Sequence, residues 1–78
     1  MKEQIISLVR EYSNHEIPED TSFNLIEAGL LDSLAMMNLV AVFEDEFDIE
    51  LDAEDICKSN FSTVDAMEKL ITRKRQWK

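Results

Sequence analysis

The sequence predicts an all-α fold: a small four-helix bundle of three main helices and one short helix, with a long first loop. Three observations predict it. Apolar residues recur at helical spacing in three separate stretches. The chain contains one Gly and one Pro, a poor supply for the many turns of an all-β fold. Hydrophobic residues make up 45% of it and charged residues 32%, so a core can form and disorder is disfavoured. With 78 residues there is room for one domain, residues 1–78, and little interior to enclose a deep substrate cavity. A binding or carrying module is therefore favoured over an enzyme.

The first helix is read over residues 2–13, because Ile5, Leu8, Val9 and Tyr12 fall at i, i+3, i+4 and i+7. Ser13-Asn14-His15 ends it, and Pro18 forbids simple continuation. Residues 14–31 form a long connection rich in turn formers (Pro18, Asp20, Thr21, Ser22, Asn24, Gly29) yet carrying apolar Phe23, Leu25, Ile26, Leu30 and Leu31. Those apolar residues are expected to pin the loop over the helices.

The second helix is read over 33–47, with Asp32 as its N-cap. Met36, Leu39, Val40, Phe43 and Phe47 mark its core stripe. Leu34, Met37 and Ala41 form a second apolar stripe at helical spacing. A surface helix of a small bundle needs only one such stripe, so the second reads as a docking surface; the alternative is a more deeply buried helix. Residues 48–54 alternate acidic and apolar side chains, but a strand without a partner is no sheet. They read as an extended loop with Ile49 and Leu51 turned inward, followed by a short helical turn over 54–59 containing Ile56. The last helix is read over 63–75, capped by Ser62 or Thr63, with Val64, Met67, Leu70 and Ile71 facing the core. Arg73, Lys74 and Arg75 compensate its dipole, and a loose basic tail is expected over about 73–78, including Trp77.

Charge narrows the choice of partner. The net charge is −9, and no Lys or Arg stands between Arg10 and Lys58. Nucleic acid is an improbable partner for such a surface, whereas proteins with basic patches suit it. Cys57 is the only cysteine, so neither an internal disulfide nor a Cys-based zinc site is available. No apolar run is long enough for a signal peptide or a membrane span, and a monomeric cytoplasmic protein is the expectation. The alternating acids from Asp48 suggest a calcium loop, but its sixth and twelfth positions are Ala53 and Ser59 instead of Gly and Glu. The single histidine, His15, lies in the first loop, and no nucleophile elbow surrounds any serine, so no catalytic residues are assigned.

The segment Gly29-Leu30-Leu31-Asp32-Ser33-Leu34 carries the most chemistry. It puts a serine hydroxyl where a long helix begins, beside unpaired backbone N–H groups and the positive end of the dipole. A phosphate linked there would be well received. This segment resembles the attachment motif of the acyl and peptidyl carrier proteins, with Asp-Ser-Leu in a Gly-x-x-Asp-Ser context. The resemblance extends over nearly the whole chain. The helix order, the long first loop, Phe47 followed by the Ile49/Leu51 segment, and Phe61-x-Thr63-Val64 all match in order.

The resemblance implies that a phosphopantetheinyl transferase moves 4′-phosphopantetheine from coenzyme A onto Ser33, and that Asp32 helps place the reactants. It further implies that the arm carries acyl or aminoacyl groups as thioesters. Leu34, Met37 and Ala41, with acidic Glu44 and Asp45, would then dock a loading ligase and a downstream synthase or transferase. The protein itself would catalyse nothing. Where fatty-acid carriers commonly continue with Asp-Thr-Val-Glu, this chain reads Ala35-Met36-Met37-Asn38. Where D-alanyl carriers have an aromatic-rich segment, it reads Glu54-Asp55-Ile56-Cys57-Lys58. Both departures point to a specialised stand-alone carrier for fatty-acid, secondary-metabolite or cell-envelope biosynthesis. The alternative from another class is an unmodified acidic helical adaptor for basic protein partners.

Overall fold

The computed structural model describes residues 1–76; Trp77 and Lys78, and with them the end of the expected basic tail, lie outside the described residues. The elements are α1 (Lys2–Ser13), α2 (Ser33–Phe47), a single 3₁₀ turn (Ala53–Asp55), α3 (Lys58–Phe61) and α4 (Val64–Arg75). No strand occurs among the described residues.

Helix ends fall where local chemistry stops or starts the hydrogen-bond ladder. α1 closes on Asn14 in the left-handed region (φ 61°), whose N–H returns to the Arg10 carbonyl. α2 begins at Asp32, whose carboxylate accepts from the Ala35 N–H at 2.8 Å, and ends on left-handed Asp48. α4 begins at Thr63, whose hydroxyl accepts from the Ala66 N–H at 3.0 Å.

One core joins the three long helices. Ile5 and Val9 of α1, Leu39 and Phe43 of α2, and Met67, Leu70 and Ile71 of α4 are all but fully buried, with Phe61 of α3 beside them. Phe43 stacks on Phe61 at 6.1 Å between centroids and meets Phe47 edge-on at 5.9 Å. The first loop contributes Ile17, Leu25 and Leu31. It is also tied by backbone to the start of α4: the Leu25 N–H reaches the Ser62 carbonyl at 2.7 Å, and the Asp65 N–H reaches Thr21 at 3.0 Å.

Five local expectations differ from what is seen. Ala35, not Met36, completes the buried stripe of α2, because Ala35, Leu39 and Phe43 stack at four-residue steps while Met36 lies at the edge. Tyr12 is 37% exposed, and so is Phe23 of the first loop, which does not join the core as expected. The short turn expected over 54–59 is two pieces. Asp52 and Asp55 cap each other reciprocally and close the 3₁₀ turn, and α3 then starts afresh after Ile56 and Cys57. Arg73–Arg75 complete α4 and do not open a loose tail. Lys74 is fixed there, its ammonium 2.6 Å from Asp55 and 3.2 Å from Asp52. Burial pushes the Asp55 carboxyl up, but Lys74, the Asp52 N–H and Arg73 together outweigh this and hold it below its ordinary value.

Candidate functional site at the start of α2

Gly29 makes the turn that delivers this site. Its φ of +76° is a conformation that side-chain-bearing residues rarely adopt. The N–H groups of Leu30 and Leu31 both fold back to the Leu25 carbonyl, at 2.9 and 3.2 Å. Leu31 is thereby buried, while Asp32 and Ser33 emerge at the surface.

Ser33 is the first residue of the 15-residue α2. It is exposed, and its hydroxyl has no hydrogen-bond partner among the described residues. Asp32 satisfies the Ala35 N–H and leaves those of Ser33 and Leu34 facing outward, as at any helix start. An open cleft of about 280 Å³ adjoins the hydroxyl, lined by Ile26, Gly29, Leu31, Asp32, Ser33, Met36 and Lys58. It is smaller than the roughly 300–1,000 Å³ of pockets that enclose a small molecule. These residues fit a phosphate-linked arm better than an enclosed ligand. They offer a free nucleophilic oxygen, backbone N–H donors, an apolar wall and one cation.

The other residues singled out in the sequence divide by location. Leu34 is 72% exposed and Met37 51%, and Ala41 and Asp45 are also exposed, so one face of α2 is an apolar stripe that no described element covers. Glu44 differs. Its carboxylate turns inward and accepts from the Leu51 N–H at 2.9 Å, holding the loop after α2. His15 is exposed on the first loop. Cys57 is half-buried with its Sγ 3.2 Å from the Ser59 hydroxyl, and hydrogen bonds from Ser59 and the Asn60 backbone hold its thiol below the ordinary range. Ile26, Met36 and Lys58 of the cleft were not assigned to the site from sequence. The one available signal is that Lys58 is the sole Lys or Arg between Arg10 and Lys69.

Among the described residues, no cluster of three or more His, Cys, Asp or Glu side chains could hold a metal ion. No helix there is long and apolar enough to cross a membrane.

Comparison with known proteins agrees with the geometry. The family model described as "Phosphopantetheine attachment site" matches residues 3–71. Curated relatives include the D-alanyl carrier proteins of Bacillus cereus (strain B4264) and Bacillus anthracis (strain CDC 684 / NRRL 3495). Each is 32% identical over 63 residues, which is 80% of this chain and 80% of the relative. A helical bundle whose longest helix opens on a free serine, matched by that family over most of its length, belongs to the phosphopantetheine-bearing carrier proteins, which hold the group covalently and transport rather than catalyse.

Proposed function

We propose that Ser33 is the attachment point of the 4′-phosphopantetheine arm and that the chain delivers a small acyl or aminoacyl group to partner enzymes. The observation that carries this is the uncommitted, exposed hydroxyl at the first residue of α2, opening onto a cleft. In the transfer, the Ser33 oxygen bonds to the phosphorus of coenzyme A's pantetheine phosphate and loses its proton. The phosphoanhydride bond breaks, and adenosine 3′,5′-bisphosphate departs. Once bound, the arm supplies a thiol that forms a thioester with the cargo.

The chain's own residues present and orient. Asp32 fixes the start of α2 and so the direction of the Ser33 hydroxyl. Leu34, Met37 and Ala41, flanked by Asp45, supply an apolar and acidic face for the transferase, a loading ligase and a downstream acceptor enzyme. A D-alanyl group, or another small aminoacyl group destined for the cell envelope, is the favoured cargo. The named relatives carry that group by title, and the cleft beside Ser33 is open to solvent and does not enclose a ligand.

Intact-mass measurement tests the attachment. Incubation with coenzyme A and a promiscuous phosphopantetheinyl transferase should add one phosphopantetheinyl unit to the wild type and none to Ser33→Ala. An unmodified wild type would return the chain to the adaptor reading. A D-alanine–carrier ligase with ATP and D-alanine should then add one alanyl mass to the loaded protein. Loading with a long acyl chain in its place would refute the cargo.

A further inference from the structure

Lys58 is unusual for this chain. It is the only basic side chain lining the cleft beside Ser33, and the only Lys or Arg between Arg10 and Lys69. Three other cations are tied in ion pairs: Lys2 with Asp65 and Glu68, Arg73 with Asp55, Lys74 with Asp52 and Asp55. Lys58 has no carboxylate partner among the described residues, although Asp32 shares its cleft. It is exposed and takes no part in the core.

A second open cleft, about 350 Å³, continues past Lys58 and is lined by Asn24, Ile26, Glu27, Lys58, Ser59 and Ser62. Ile26 and Lys58 belong to both. Together they make one groove between the first loop and α3, with Ser33 at one end, Lys58 shared by both parts, and the Asn24 amide, the Ser59 and Ser62 hydroxyls and the Glu27 carboxylate beyond.

We infer that Lys58 is a positioning residue for the arm: its ammonium pairs with the phosphodiester on Ser33 and lays the pantetheine chain in this groove. This rests on Ser33 being the attachment point. The modification brings one permanent negative charge to a protein of net charge −9, next to the Asp32 carboxylate. The helix start and Lys58 are the positive features that line the cleft to meet it. Past the phosphate, the arm's methyl-bearing segment suits Ile26 and Met36, and its amides suit Asn24, Ser59 and Ser62. The unloaded arm then lies along α3 and leaves the apolar face of α2 uncovered for a partner.

The test compares ¹H–¹⁵N spectra of the unmodified and pantetheinylated forms of wild type, Lys58→Arg, Lys58→Gln and Lys58→Glu, with loading verified by intact mass. In wild type and Lys58→Arg, loading should shift the amides of Ile26, Lys58, Ser59 and Asn60 as well as those flanking Ser33. In Lys58→Gln and Lys58→Glu the shifts at 26 and 58–60 should vanish, while those flanking Ser33 persist. The thermal midpoints of the unmodified variants should match wild type. Loaded wild type with shifts confined to residues near Ser33, or Lys58→Gln retaining the α3 shifts, overturns the role of Lys58 and leaves the attachment intact. A wild type that gains no mass overturns the attachment, and this inference with it.

Discussion

Met37→Glu separates docking from folding on α2. Fully burying a methionine stabilises by roughly 1.5–3 kcal/mol. Met37 is 51% exposed, so about half of that, ~0.8–1.5 kcal/mol, remains available to a partner that covers it. An unpaired neutral polar group against an apolar contact costs about 1–3 kcal/mol, which is a floor for a carboxylate. The sum, about 2–4 kcal/mol, weakens the Kd for the phosphopantetheinyl transferase roughly 30-fold to several hundred-fold. The folded state should hardly notice. Met and Glu have nearly equal helix propensity, and surface changes usually stay within about 0.5 kcal/mol, which moves the Tm of a domain this size by under about 4 °C. Leu39→Glu is the control on the opposite face. Leu39 is 0% exposed, and a buried unpaired charge there should unfold a domain of roughly 5–15 kcal/mol total stability. Calorimetric titration and circular dichroism read both quantities, and Met37→Gln removes any contribution from the added charge. A Tm lowered by more than about 8 °C would put Met37 in the core, and an unchanged Kd would remove it from the docking face.

Three further outcomes follow from the geometry. Asp32→Ala deletes the carboxylate that caps the Ala35 N–H and should cost about 0.5–2 kcal/mol, whereas Asp32→Asn should retain most of that; if Asp32→Asn is stable yet slow to be pantetheinylated, Asp32 acts in the transfer as well as in capping. Glu44→Ala strands the Leu51 N–H and should cost about 1–3 kcal/mol with faster hydrogen exchange at that amide, while transferase affinity holds; lost affinity with unchanged exchange would restore Glu44 to the docking face. The Asp55–Lys74 clamp should make stability pH-dependent. The folded Asp55 carboxyl sits below its ordinary value near 3.8, so its contribution is complete above that value and is lost as pH falls through the lower folded one. Lys74 sits above its ordinary value near 10.5, so its contribution is complete below that value and is lost at more alkaline pH. Acid unfolding followed by circular dichroism should be shallower in Asp55→Asn, and an identical profile would remove Asp55 from the clamp.

The long helices are legible because each carries a long apolar period, and α2 and α4 also carry a side-chain cap. Asp32 and Thr63 mark starts, and Leu39, Val40, Phe43 and Phe47 repeat often enough to define a face. Ala35 was overlooked because alanine adds little to an apolar pattern, and bulkier Met36 beside it attracted the assignment. α3 has four residues, barely one turn, and no period can show in so short a stretch. Ser33 stood out through its neighbours in sequence. The cleft it opens onto did not, since Ile26, Met36 and Lys58 meet only after the first loop is pinned to the start of α4. The structural tie of Glu44 is hidden for the same reason. An acid near the end of a helix looks solvated, and its partner, a backbone N–H seven residues on, bears no mark in the letters.

On the proposed reading, the two faces of α2 let one helix serve stability and recognition together. Ala35, Leu39, Val40, Phe43 and Phe47 fasten it to the core, which frees the opposite face from any structural duty. An uncovered apolar face is an aggregation hazard, and a net charge of −9 opposes it by keeping copies of the chain apart. Ser33 begins this same helix, adjacent to Leu34 and just over one turn, or ~6 Å of rise, before Met37. On the proposed reading, a partner seated on Leu34 and Met37 has Ser33 at a fixed place beside it, whatever the cargo. The enzyme need recognise only the helix, and the tether supplies the cargo at high local concentration. Substitutions along the exposed face should for that reason alter which enzymes act on the chain without altering what the chain can hold.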